Sequence, residues 1–167
     1  KLFEETEYLV DIDKLKQHMF LIQSTPLFNR FNGLSVQHRP GIFPPWDQVD
    51  GLESLQLYEN CTEKDFSVIN TKFKNTEYEK IIKDFNLVRS RLMLLEGKTN
   101  YTVHRDVSWR LHIPIVTNPK CIMVWPDHNE HFYMEEGKVY KINTTEKHTM
   151  INGSTNNRVH FIGCLHD

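Results

Sequence analysis

Apolar residues in the first half of the chain recur at helical spacing in two places. Between Asp11 and Gln23 they occur at intervals of three and four residues, which predicts a helix with one buried face. These residues are Ile12, Leu15, Met19 and Ile22. A second helix is predicted from Glu77 to Phe85, with Thr76 and Glu79 in the positions of a capping box. We therefore expect a helical and irregular first half.

Turn-forming residues separate these two helices. Proline and glycine recur between them and predict a loop over residues 38–55, at Pro40, Gly41, Pro44, Pro45 and Gly51. Loops of this length inside compact domains often carry function. Trp46 lies within this loop, where it is predicted to be either part of a lid or a plug that anchors the loop.

From about Leu87 onward the pattern changes to short runs of β-branched and aromatic residues, separated by turns such as Glu136-Gly137. About eight strands are predicted. They lie near residues 87–95, 100–104, 108–117, 121–126, 131–135, 138–143, 148–152 and 158–164. Several are apolar on both faces, so we expect helices to cover one face. The predicted fold is mainly β with N-terminal helices, a double-stranded β-helix (jelly roll, cupin-like).

Length and composition indicate an ordinary globular protein. The 167 residues are enough for one domain, so residues 1–167 are expected to fold together, with 87–167 as the jelly-roll core and 1–86 as helical and loop support. Hydrophobic residues make up 39% of the chain and charged residues 25%, as in typical globular domains. The net charge of -2 argues against a general nucleic-acid binder, which would carry excess positive charge.

Hydropathy and cysteine content narrow the cellular setting. No apolar run approaches the roughly 18 residues of a membrane span, so we expect a soluble protein without a membrane partner. The three cysteines are widely spaced and form no C-x-x-C pair, which indicates neither a zinc site nor a disulfide framework. We therefore expect a reducing, cytoplasmic environment.

The strongest chemical candidates are an H-x-D step and a distant histidine. His104 and Asp106 lie two residues apart, so alternation along a strand places both side chains on one side. His148 follows at the start of another predicted strand. Two histidines and one carboxylate on one face of a metal leave Fe(II) open positions. Arg158 comes ten residues later, across the turn at Asn152-Gly153, where a guanidinium could bind a distal carboxylate.

Four ordered motifs resemble one known family. They are HRDVSWRLHIPIVTNP at 104–119, EEGKVYKIN at 135–143, KHTMING at 147–153 and NNRVHFIG at 156–163. They resemble the aspartyl/asparaginyl β-hydroxylase family of 2-oxoglutarate oxygenases, which includes free-proline cis-hydroxylases. The resemblance covers about residues 87 to 165, whereas residues 1–86 show no diagnostic match and are expected to determine substrate selectivity.

The resemblance implies a cofactor set and roles for six residues. His104, Asp106 and His148 would bind Fe(II), and Arg158 would bind the far carboxylate of 2-oxoglutarate, with O2 as the second cosubstrate. Arg110 and His112 form the RLH step of the family, and by alternation they share a face. His112 is expected near the cosubstrate and Arg110 on a carboxylate of cosubstrate or substrate.

Several polar residues have a simpler alternative interpretation. His128, Glu130 and His131 form a second possible chelating group, but the neighbouring Pro126 and Asp127 favour an exposed turn. Arg89 and Arg91 could bind an acidic substrate or form surface ion pairs, and His160 could contact substrate or be a hydrogen-bonded core residue. These residues are Arg89, Arg91, His128, Glu130, His131 and His160.

Three functions remain open at this point. The first is an oxygenase acting on a free amino acid such as proline or on an Asp/Asn side chain in a peptide, and the compact size mildly favours a small molecule. The second is a non-enzymatic jelly-roll ligand-binding module, because one architecture hosts many functions. The third is another jelly-roll metalloenzyme, in which Arg158 would have no cosubstrate to bind.

Overall fold

The two predicted helices are present with nearly the predicted bounds. The fold was obtained as a computed structural model, which describes residues 1–23, 33–42 and 61–166. Helix α1 spans Ile12–Gln23 and α2 spans Glu77–Phe85. The predicted capping box at α2 is wrong, because the Thr76 hydroxyl donates to the carbonyl of Phe73 instead of capping the helix. Most of the predicted loop over 38–55, including Trp46, lies outside the described residues.

Twelve short and long strands are present in the described part of the chain, and three short 3-10 turns accompany them. The strands are β1 Phe3–Glu5, β2 Gly33–Ser35, β3 Gln37–His38, β4 Val68–Ile69, β5 Val88–Leu95, β6 Thr99–Asn100, β7 Trp109–Val116, β8 Cys121–Trp125, β9 Glu130–Phe132, β10 Tyr140–Ile142, β11 Thr149–Asn152 and β12 Arg158–Leu165. The 3-10 turns are Glu63–Asp65, Thr71–Phe73 and Pro126–His128.

The strands form two main antiparallel sheets and one small ribbon. The larger sheet has six strands in the order β1-β10-β7-β12-β5-β2, and the smaller has four in the order β6-β11-β8-β9. Strands β3 and β4 pair separately. Strand β12 lies in the middle of the larger sheet and pairs with β5 and β7 along its length. This arrangement confirms the predicted jelly-roll class.

Every run predicted as a strand after residue 87 overlaps one, although the runs near 100–104 and 131–135 overlap β6 and β9 by only one or two residues. The first half, however, also contributes β1 and β2 to the larger sheet, which the expectation of helix and loop missed. Each has only three residues, and a run of that length shows no period that would distinguish a strand from a loop.

The two faces of the larger sheet carry different kinds of side chain. On the outer face, Leu111 and Phe161 belong to an apolar cluster that includes Leu15 of α1 and Tyr78 of α2. The inner face carries polar side chains on the same strands. In the antiparallel register Cys164 lies opposite Arg110, and residues directly opposite share a face. The helices therefore cover one face and leave the other to the site, as the apolar pattern on both faces predicted.

A second apolar cluster lies between the two sheets. It joins inner-face residues of the larger sheet to residues of the smaller sheet, and comprises Leu95, Met123, Trp125, Met134, Tyr140, Ile142 and Met150. Arg158 lies opposite Leu95 in the register, which places it on this inner face. Within the described residues, no helix is both long and apolar enough to cross a bilayer.

Candidate metal and cosubstrate site

The backbones of His104 and His148 lie directly opposite each other. They form an isolated antiparallel bridge between the segment that follows β6 and the residue that precedes β11. Each backbone N–H donates to the carbonyl of the other residue at 3.0 Å. The two ring centroids are 4.5 Å apart. Two residues 44 positions apart in the sequence are thus brought into contact by the pairing itself.

Asp106 completes a group of three side chains that could hold a metal ion. Its Oδ1 lies 3.6 Å from His104 Nε2, and its Oδ2 lies 3.6 Å from His148 Nε2. The ligand atoms of all three residues lie within 4.8 Å of one another. Metal–ligand bonds of about 2.0–2.2 Å at right angles require ligand atoms about 3 Å apart, so small side-chain movements suffice to bind one ion.

Both histidines are held in the tautomer that a metal requires. His104 Nδ1 lies 2.7 Å from the carbonyl oxygen of Thr102, and His148 Nδ1 lies 2.8 Å from that of Glu146. A carbonyl only accepts hydrogen bonds, so each Nδ1 carries the proton and each Nε2 presents a lone pair. Burial lowers the pKa of His148 below its usual value, although the Glu146 carbonyl and Asp106 oppose this shift. The ring is therefore neutral at physiological pH.

Arg158 is a buried cation without a hydrogen-bonding partner in the described part of the chain. Its side chain is fully buried, and its Nε and both Nη atoms make no hydrogen bond. Burial lowers the pKa of the guanidinium, and the nearby Tyr101 hydroxyl partly opposes this shift without a hydrogen bond of good geometry. A guanidinium removed from water needs an anion. The position therefore suits a carboxylate from a bound molecule.

His112 lies on the same face of the larger sheet as Arg158. Its pKa is well below the usual value, first because it is buried and then because of the charge of Arg158. Its Nδ1 lies 3.1 Å from the Nδ1 of His160, so one ring donates and the other accepts. Burial and Arg158 also lower the pKa of His160. This neutral pair connects the two halves of the site.

Arg110 has partners within the protein. Its Nη2 lies 2.6 Å from Glu63 Oε2, and its Nε lies 3.6 Å from Asp106 Oδ2. Its Nη1 donates to the carbonyl oxygen of Ser108 at 3.2 Å and also to the Ser108 hydroxyl. The role predicted for Arg110, on a carboxylate of cosubstrate or substrate, stays a prediction. In the structure the guanidinium binds the carboxylate of Glu63.

Glu63 is a buried residue of the site that the sequence did not indicate. Besides Arg110, it accepts a hydrogen bond from the Ser108 hydroxyl at 2.7 Å and from the Cys164 thiol at 3.2 Å, and it lies 2.9 Å from His166 Nε2. Burial raises the pKa of its carboxyl, but Arg110 and these hydrogen bonds outweigh burial and lower it to about 2. Glu63 is one of 22 acidic residues, and no motif distinguishes it.

Arg89 and Arg91 are both buried, so the alternative of a surface ion-pair ladder is wrong. Arg89 Nη1 lies 3.6 Å from Glu63 Oε2. Arg91 lies opposite Ile162 and therefore points to the inner face of the sheet. Other segments lie against this part of β5, because Arg91 pairs with Ser35 of β2 and the N–H of Arg89 donates to the carbonyl of Phe66. The positive charge of this face is thus held inside the protein.

The second possible chelating group is exposed, as expected. His128 lies in the 3-10 turn Pro126–His128, and its Nε2 is 3.2 Å from Glu146 Oε2 at the surface. Glu130 and His131 lie on the short strand β9 and are also exposed. Among the described residues, the single group of three potential metal ligands is the one formed by His104, Asp106 and His148.

Comparison with known proteins identifies the class of enzyme to which this group of side chains belongs. A family model described as Aspartyl/Asparaginyl beta-hydroxylase matches residues 56–165, well over half of the 167 residues. The protein is a hydroxylase of the class that uses Fe(II), 2-oxoglutarate and O2, and the three clustered ligands suit that metal. The chain belongs to the aspartyl/asparaginyl β-hydroxylase family. The alternative of a non-enzymatic binding module is therefore wrong.

Solved structures of low sequence identity share the fold. AviO1 from Streptomyces viridochromogenes is 12% identical with a TM-score of 0.56, over 97% of this chain and 88% of that one. The viral collagen prolyl hydroxylase from Paramecium Bursaria Chlorella virus-1 is 7% identical with a TM-score of 0.52, over 99% of this chain and 91% of that one. No curated protein matches the sequence. At such identities the likeness concerns the fold alone.

Proposed function

We propose that the protein hydroxylates an unactivated C–H bond of a free amino acid or of an Asp or Asn residue in a peptide. In this proposal His104, Asp106 and His148 bind Fe(II), and Arg158 binds the distal carboxylate of 2-oxoglutarate. When bound, the iron and 2-oxoglutarate supply the oxidation: O2 converts 2-oxoglutarate to succinate and CO2, and one oxygen atom enters the substrate as hydroxyl.

The observation that carries the proposal is the buried guanidinium of Arg158. Arg158 shares the inner face of the larger sheet with His160 and His112, whose rings lie 3.1 Å apart, and Arg110 on the same face lies 3.6 Å from Asp106. A molecule that fills this region can therefore contact the metal-binding group at one end and the guanidinium at the other. 2-Oxoglutarate has a carboxylate at each end, and a guanidinium binds a carboxylate through two parallel hydrogen bonds.

The remaining residues of the inner face orient the reactants and exclude water. His112 and His160 are neutral, so they add hydrogen-bonding groups without further buried charge. Met150 and Met123 supply apolar surface from the smaller sheet. A dry site strengthens the attraction between Arg158 and a bound carboxylate, because fewer water molecules screen the charges.

The positive charge on the inner face favours a substrate that bears a carboxylate. Arg91, Arg110 and Arg158 all lie on this face, and Glu63 binds Arg110, so the arginines outnumber the buried glutamate that offsets them. Amino acids and aspartyl peptides both carry a suitable anion.

The cellular setting proposed from composition is the cytoplasm. Cys61, Cys121 and Cys164 are free thiols, which is typical of a reducing compartment. The net charge of -2 supports a small-molecule or peptide partner over a nucleic acid.

Uncoupled turnover tests the proposal without a known substrate. In air, with Fe(II) and ascorbate, we expect the protein to convert 2-oxoglutarate slowly to succinate, and His148→Ala and Arg158→Ala to abolish this reaction. Absence of both turnover and 2-oxoglutarate binding in the intact protein would refute the oxygenase. Free amino acids and Asp-containing peptides would then be screened for the mass gain of one oxygen atom.

The same experiment addresses the remaining metalloenzyme alternative. If Arg158 has no cosubstrate to bind, the protein will bind a metal through His148 but will show no affinity for 2-oxoglutarate. Loss of turnover in His148→Ala, with full turnover in Arg158→Ala, would mean that Arg158 is assigned wrongly while the metal site is correct.

A further inference from the structure

Two carboxylates lie near the guanidinium of Arg110, and one of them is much closer than the other. Glu63 Oε2 lies 2.6 Å from Nη2, whereas Asp106 Oδ2 lies 3.6 Å from Nε. The first distance is that of a strong charge-assisted hydrogen bond, and the second is beyond hydrogen-bonding range. Arg110 is thus held by Glu63 and only approaches Asp106.

We propose that Glu63 is a positioning residue that holds Arg110 away from Asp106 and so keeps the Asp106 carboxylate available to the metal. This inference rests on the proposed function, in which Asp106 is a metal ligand. Glu63 itself has no contact with the metal-binding group. It acts through Arg110, which it both orients and neutralises.

Competition between Arg110 and a metal gives Glu63 this role. A guanidinium readily forms two parallel hydrogen bonds with one carboxylate, which would occupy both oxygens of Asp106. An unneutralised cation next to a divalent metal would also repel it. Both effects weaken metal binding, and both are relieved when another carboxylate binds Arg110 first.

Glu63 is held firmly enough to do this. Both of its oxygens are engaged: Oε1 by Ser108 at 2.7 Å and His166 at 2.9 Å, and Oε2 by the Cys164 thiol at 3.2 Å in addition to Arg110. Cys164 belongs to β12, His166 follows β12, and Ser108 directly precedes β7. Its side chain is almost fully buried, and its low pKa keeps it ionised. The carboxylate therefore has a fixed position and a permanent charge.

The test measures Co(II) affinity of the metal-free protein, without 2-oxoglutarate, by calorimetric titration and by the visible absorption of bound Co(II). We expect Glu63→Gln to weaken Co(II) binding by about tenfold, the lower end of what outer-shell partners contribute. The double variant Glu63→Gln with Arg110→Gln is expected to recover affinity to within about threefold of the parent, because the competing cation is also gone.

His166→Gln is the matched control. His166 contacts Glu63 Oε1, whereas Arg110 is held by Oε2. The control therefore disturbs the same buried carboxylate without releasing Arg110, and we expect parental Co(II) affinity. A role for Glu63 in general stability would instead predict that the control and the single variant lose affinity together, and that the double variant binds worst.

The outcomes separate this inference from the proposed function. If His148→Ala binds Co(II) as well as the parent does, the metal site itself is wrong. If His148→Ala abolishes binding but Glu63→Gln binds like the parent, or the double variant binds more weakly than Glu63→Gln, the role of Glu63 is wrong. Should Glu63→Gln fail to fold by circular dichroism, the double variant decides, and an affinity more than tenfold below the parent overturns the inference.

Discussion

His104 and His148 donate backbone hydrogen bonds to each other, each at 3.0 Å, and each uses its Nδ1 on a carbonyl two residues before it. The backbone and the ring of both residues are thus fixed by main-chain atoms of the same two segments. In the proposed metal site, most of the entropy cost of orienting these two side chains would be met during folding, so a metal ion would meet a site that is already assembled.

Metal binding should therefore stabilise the folded protein. With Co(II) at about 100 times its dissociation constant, the free energy of unfolding should rise by about 2.7 kcal/mol. For a chain of this size that corresponds to a rise in Tm of about 5–10 °C, measurable by scanning fluorimetry. His148→Ala should show no rise, and an equal rise in that variant would mean that the ion binds elsewhere.

Replacement of Arg158 by an apolar residue should not destabilise the ligand-free protein. Its guanidinium makes no hydrogen bond of good geometry among the described residues, so Arg158→Met removes no well-formed hydrogen bond. We expect the free energy of unfolding in urea to stay the same or to rise by about 1–2 kcal/mol.

Arg110→Met provides the contrast, because it removes the partner at 2.6 Å from the buried Glu63. That variant should lose about 3 kcal/mol of stability, as expected when a buried carboxylate is left without its cation. Equal losses in the two arginine variants would mean that Arg158 has a stabilising partner in the ligand-free protein.

Stability should fall in mild acid because of His112 and His160. Burial keeps the pKa of both rings well below the usual value near 6.5, so the folded state stays unprotonated while the unfolded state binds protons. The contribution of each ring is complete above pH 6.5 and is lost as the pH falls towards the folded-state pKa, by up to about 1.4 kcal/mol per pH unit.

Urea unfolding at pH 7.5 and at pH 5.5 measures this effect. We expect the two rings together to lower the free energy of unfolding by about 2–3 kcal/mol between these values. The double variant His112→Gln with His160→Gln should lose correspondingly less over the same interval. The same pH dependence in parent and double variant would show that other groups are responsible.

Gly97 lies where the turn that follows β5 contacts the turn that precedes β12, and the contact leaves no room for a side chain. A Cβ at this position would lie 2.7 Å from the carbonyl carbon and oxygen of Thr155, and neither atom can move without the turn that leads into β12. Gly97→Ala should lower the free energy of unfolding by about 1–3 kcal/mol in urea. Gly153→Ala is the control, since its Cβ would lie 3.5 Å from its nearest neighbour and should change stability by less than about 0.5 kcal/mol.

The features that could be predicted from the sequence are those with a local pattern. The long strands β5, β7 and β12 have eight residues each, long enough for alternation and flanking turns to identify them. The pairing of His104 with His148 could be anticipated because the motif order and spacing resembled a known family. Alternation also predicted correctly that Arg110 and His112 share a face opposite Leu111.

What the sequence did not reveal depends on contacts between distant segments. Glu63 lies in a short 3-10 turn with no repeating pattern, and it becomes a buried partner of Arg110 only when β7 and β12 assemble. Strands β1 and β2 have three residues each, which is too few to show a pattern. They can be recognised only from their pairing with β10 and β5. The burial of Arg89 similarly depends on residues distant in the sequence. Arginine is usually exposed, so the sequence alone did not indicate that this one is buried.

The central position of β12 in the larger sheet also determines when this sheet can form during synthesis of the chain. Strands β5 and β7 both pair with β12, so neither can complete its hydrogen bonding until residues up to 165 have left the ribosome. Until then the emerging chain exposes unpaired strand edges and the apolar surface that later packs under the helices. The larger sheet is therefore expected to form only after β12 has emerged from the ribosome, with a need for chaperone protection before that point.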